Sequence, residues 1–170
     1  MTELIFLAGL LLSQALSTPD HQADALPAGV LDVHGHPHLL SFEEQSPVDA
    51  MASVEAALMM HARDASRYGL VEPASLSSSS DGLHQLQVSE RGSAGDLQIH
   101  FSIASTDSTT TDTQKQFSHF EVFVRGKRLD AKHYAQILAE LQRGYVSSGE
   151  PTTSSLPKLP KMPLSPGSMI

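Results

Sequence analysis

The sequence predicts an α+β fold: a small three-stranded antiparallel sheet packed with two helices, in the order helix, strand, strand, strand, helix. Three observations carry this expectation. Apolar and polar residues alternate with a period of two across 85–89, 97–103 and 119–125, which marks strands with one buried face. A capped helical pattern begins at Ser46 and another at Asp130, on either side of those strands. Short turn sequences, Arg91-Gly92-Ser93-Ala94-Gly95 and Gly126-Lys127, punctuate the region.

The chain has 170 residues, enough for one domain and too few for two comfortable ones. It contains no Cys, which excludes disulfides, thiolate zinc sites and cysteine catalysis. Net charge is −8, unevenly spread: residues 1–114 hold 15 acids and 3 bases, and residues 115–170 hold 4 acids and 8 bases. Such an acidic first two-thirds argues against nucleic acid or an anionic membrane as a general partner.

Residues 1–25 read as a signal-peptide-like leader. Nine apolar residues, 4–12, have the length of a signal core and are too short to span a bilayer. Ser13-Gln14-Ala15 and Ala23-Asp24-Ala25 offer small residues for cleavage, although Glu3 stands where a basic residue is usual. A second reading is an apolar helix, 4–16, that docks on the domain, on a partner or on a membrane surface. The first reading implies a secreted or periplasmic protein, and the second a cytoplasmic one.

Residues 26–148 form the predicted domain. Residues 30–33 suit a short strand, and His34-Gly35 a turn. Ser46, Pro47 and Asp49 make a helix start, with Val48, Met51, Val54, Leu58, Ala62 and Ala65 on one face. With Gly69 as its stop, that helix is predicted over 47–68. A loop containing Pro73 and Ser77-Ser78-Ser79-Ser80 follows. In the three strands, Leu86 and Val88, then Leu97, Ile99, Phe101 and Ile103, then Phe120, Val122 and Val124 face inward. His100, His119, Glu121, Phe123 and Arg125 face outward, and residues 105–113 form a polar loop. After Asp130, Tyr134, Ile137, Leu138, Leu141 and Tyr145 give the last helix, closed by Gly144. Residues 149–170 are Pro/Ser-rich, with a Pro every third residue over 157–163, the period of polyproline II. This composition predicts a disordered tail.

Three histidines in five residues, His34, His36 and His38, are the most unusual local feature. Neutral imidazoles projecting from one side of an extended segment can share Zn, Cu or Ni, and Asp32 could add an oxygen or orient one ring. The plainer reading is three solvated side chains. Residues 31–37, with Asp32, His34, His36 and Pro37, resemble the D-x-H-x-H-P motif of amidohydrolase-type metal enzymes. Carried over, the resemblance would make His34 and His36 metal ligands on a barrel strand. It covers seven residues, whereas a (β/α)₈ barrel takes about 250.

Among the sequence motifs of hydrolases, nucleotide-binding loops and zinc proteases, none is present. The leading expectation is therefore an exported, non-enzymatic binding or assembly module with a protein partner. Phe123 and Arg125 on the open sheet face, and Leu159 and Met162 in the tail, are the candidate contacts. The alternatives are a periplasmic or extracellular metal binder using the histidine cluster, and a small acidic chaperone-like protein.

Overall fold

A helix that is apolar around its whole circumference has to be buried, and residues 4–12 make one. They form the centre of α1 (Thr2–Ala15), in which Leu4, Leu7, Leu10, Leu11 and Leu12 are all buried. The computed structural model describes residues 2–16, 26–41, 46–76, 82–104 and 116–146. After α1 come β1 (Ala28–Val33), β2 (His36–Leu40), α2 (Pro47–His61), β3 (Arg67–Glu72), β4 (His84–Glu90), β5 (Leu97–Ala104), β6 (Gln116–Val124), β7 (Lys127–Arg128) and α3 (Ala131–Val146). The strands make one sheet in the order β2-β1-β3-β4-β5-β6-β7, antiparallel throughout.

The sheet has helices on both faces. On the inner face α1 packs against α3 and against β1, β3 and β4. Beneath them lie Val30, Val71, Leu86, Val88, Leu97, Ile99, Phe101, Phe120 and Val122, all within one apolar core. A bulge in the β5–β6 pairing skips Ser118, so Phe117 and Phe120 both point inward. Phe101 meets Phe117 edge to face at 5.6 Å between ring centroids. On the outer face α2 lies over β1 and β3, where Leu31, Val54, Leu58 and Ala65 make a second, smaller cluster joined by Leu40 of β2.

Glycines decide how closely the inner layers approach. A Cβ on Gly9 would lie 2.2 Å from the Leu141 carbonyl oxygen, and one on Gly144 would lie 2.1 Å from that of Phe6. The two helices therefore cross backbone to backbone. In β3, a Cβ on Gly69 would sit 2.7 Å from the Gln87 carbonyl oxygen and 3.0 Å from Leu11.

These observations correct the expected fold class. The sheet has seven strands rather than three, and the described residues hold three helices rather than two. The apolar run 4–12 packs into the inner core as part of α1. The predicted helix over 47–68 ends at His61, and β3 begins at Arg67. Gly69 is thus a strand residue, and Gly144 lies inside α3 rather than beyond it. Val48, expected on the buried face of α2, is 61% exposed. Nor does α2 share the inner face with the last helix. An antiparallel sheet also replaces the barrel implied by the D-x-H-x-H-P resemblance. The expected loops at 77–80 and 105–113 and the tail at 149–170 lie outside the described residues.

Candidate functional site

Because α2 stops at β3, the outer faces of β4, β5 and β6 carry no helix among the described residues. Strand alternation projects three cross-strand rows from this strip. Gln85, His100 and Glu121 form one row, Gln87, Gln98 and Phe123 a second, and Ser102 and His119 a third. All three strands contribute amides or imidazoles, so the strip is dense in hydrogen-bond donors and acceptors.

Glu121 is its electrostatic centre. One carboxylate oxygen stands 3.3 Å from Nε2 of His119, and the other 3.4 Å from a terminal nitrogen of Arg128. Phe123 is half-buried, and its ring leans on that of His100 at 4.8 Å between centroids. The hydroxyls of Ser102 and Ser118 are hydrogen-bonded to each other.

The neighbouring turn is built to hold β4 and β5 in place. Asp96 accepts from the Glu90 N–H at 3.0 Å and from the Ser93 hydroxyl at 2.7 Å. The Glu90 bond, then the Ser93 bond, hold its carboxyl below the usual range, with the Arg125 charge adding to them against the effect of burial. The Arg125 N–H in turn donates to the Asp96 carbonyl.

The sequence-predicted residues do not come together. His34 and Gly35 occupy the β1–β2 turn with φ of 53° and 81°, the left-handed pair of a tight hairpin. His36 and His38 are exposed on the edge strand β2. No group of three or more metal-ligating side chains is found among the described residues. Asp32 serves a different purpose: it is buried, and its Oδ2 accepts from Arg67 Nη1 at 2.9 Å. Arg67 also stands 3.5 Å from Glu90, giving a charged row across β1, β3 and β4. Phe123 faces outward as expected, while Arg125 sits in the β6–β7 turn at φ 52°. Leu159 and Met162 lie outside the described residues.

One surface escaped the sequence reading. Met59, Met60 and Val48 of α2 are exposed, and they are three of the four exposed large apolar residues among those described. Met59 and Met60 adjoin the buried Leu58 in sequence, so a helical wheel places them away from the core; that was the available signal.

None of the described helices is long and apolar enough to cross a membrane. No protein-family model, curated protein or solved structure matches the chain.

Proposed function

We propose that the protein is a non-enzymatic binding module that takes a protein segment onto the helix-free strip of β4, β5 and β6. The observation that carries this reading is the strip itself: three adjacent strands whose outer side chains are Gln, His, Ser, Glu and one aromatic, with no helix over them among the described residues. Glutamine and histidine side chains can satisfy peptide groups of a partner, and Phe123 supplies the apolar anchor that interfaces favour. The acidic balance of the chain and the carboxylate of Glu121 favour protein over nucleic acid as the partner.

The module acts with α1 in place. Cleavage after Ala15 or Ala25 would take ten buried residues out of the inner core, so the reading favours a protein retained where it is made. It therefore carries forward the binding role from the sequence and leaves out export with processing.

Site-specific photo-crosslinking in the source cells tests the proposal. A photoreactive residue at Gln98 or Phe123 should capture one recurring protein, and the same residue at the exposed Gln136 of α3 should not. Phe123→Ala should then weaken binding of that protein by more than about tenfold, the scale of an interface hot spot. Equal capture from Gln98 and Gln136 would contradict the assignment.

A further inference from the structure

The two edges of the sheet differ. At one edge, β2 carries Pro37, which has no N–H to donate, and that blunts it against further pairing. At the other edge, β6 spans the nine residues Gln116–Val124 and contains no Pro. β7 pairs with it only at Phe123 and Val124, and the Leu129 N–H adds one bond to the Val122 carbonyl. Over 116–121, β6 has no second partner among the described residues.

Peptide groups in a paired strand point alternately to its two sides. The Val122 carbonyl points away from β5 toward Leu129, so the N–H and C=O of Phe120 point the same way, past the end of β7. We propose that a short extended segment of the partner protein pairs with β6 there as an added strand, in line with β7. Its main chain bonds Phe120, and its outward side chains lie beside His119 and Glu121. Strand addition rests on the binding role proposed above and fixes the conformation of the bound segment.

The edge selects its occupant. Unpaired N–H and C=O groups along a strand are matched by another extended backbone. His119 and Glu121, on either side of Phe120, belong to the strip, so a segment on this edge also touches the strip. The bulge at Ser118 bends β6 and keeps the open stretch short, which suits a segment of about five residues. The Pro-rich stretch 157–163 matches poorly. With Pro at every third position, either set of alternate residues includes a missing donor. A second copy of β6 matches no better: pairing centred on Phe120 sets Ser118 against Val122, whose carbonyl is already held by Leu129.

Photo-crosslinking from the exposed Ser118 begins the test. It should capture the same protein as Gln98 does, within one short stretch of that protein's sequence. This stretch, made as a synthetic peptide and titrated against the full chain, is the probe for the second step. N-methylation removes its backbone donors one at a time. Methylation at alternate residues should weaken binding by about tenfold, because those N–H groups face β6, and methylation at the residues between should leave it unchanged. Losses without that alternation, or capture from Gln98 and not from Ser118, would overturn strand addition and leave the strip reading standing. Capture of the chain itself from Ser118 would overturn it in favour of self-pairing. Capture of no protein from either position would overturn both.

Discussion

At Gly9 and Gly144 the backbones of α1 and α3 touch, and no other residue type fits either position without moving a helix. A Cβ on Gly144 would lie 2.1 Å from the Phe6 carbonyl oxygen and 3.0 Å from its carbon. Both contacts are to backbone, which cannot rotate away as a side chain would. Gly144→Ala should therefore cost about 1–3 kcal/mol through overpacking, offset by at most about 1 kcal/mol of better helix propensity. Urea unfolding of the variant measures the net loss; a gain in stability would show that the helices stand farther apart. In sequence Gly144 reads as a helix stop, because a glycine near a helix end is most often a terminator. The contact partner that gives it another purpose is 135 positions away, at Gly9.

Local pattern and its absence explain which elements were legible. Strands β4, β5 and β6 were readable because one face of each is buried and the other polar, which is what alternation records. The Ser46 cap was equally plain, and its side chain does accept from the Asp49 N–H. Strand β3 was not readable: its centre is Gly69, and its outer residues Tyr68 and Leu70 are apolar because α2 covers them. Burial on both faces erases alternation. Strand β2 shows the opposite extreme, with three of its five residues exposed at the sheet edge, where Pro37 is also tolerated. For α1 the difficulty was context, since nine apolar residues suit a signal core and a central helix alike. Packing favours the central helix. Full burial of a leucine side chain stabilises by about 1.5–3 kcal/mol, and α1 buries five, which together rival the whole stability of an ordinary domain. A chain beginning at Leu26 should accordingly show no cooperative thermal transition by circular dichroism. A sharp melt from that shortened chain would show that the sheet holds without α1.

The whole molecule divides its labour between two faces. The inner face is closed by α1 and α3, and it holds most of the apolar core. Among the described residues the outer face is covered by a helix only at one end, by α2, and the remainder is the strip where binding is proposed. Of the candidate site, Phe123, His119 and Glu121 were legible as outward residues from the period of two. The uncovered area was not, because how far a helix reaches across a sheet is set by the strand order. The histidine cluster was legible as composition only: the hairpin puts His34 in a turn, and Asp32, bonded to Arg67, is engaged elsewhere.

The central claim is that α1 belongs to the core of the folded chain, and residue-resolved amide hydrogen exchange of the intact protein tests it most directly. If α1 is a core element, its amides from Leu7 to Leu12 open only with global unfolding, and their protection should equal that of β4 and β5. Exchange in α1 at the rate of a free helix, with β4 and β5 still fully protected, would contradict the account.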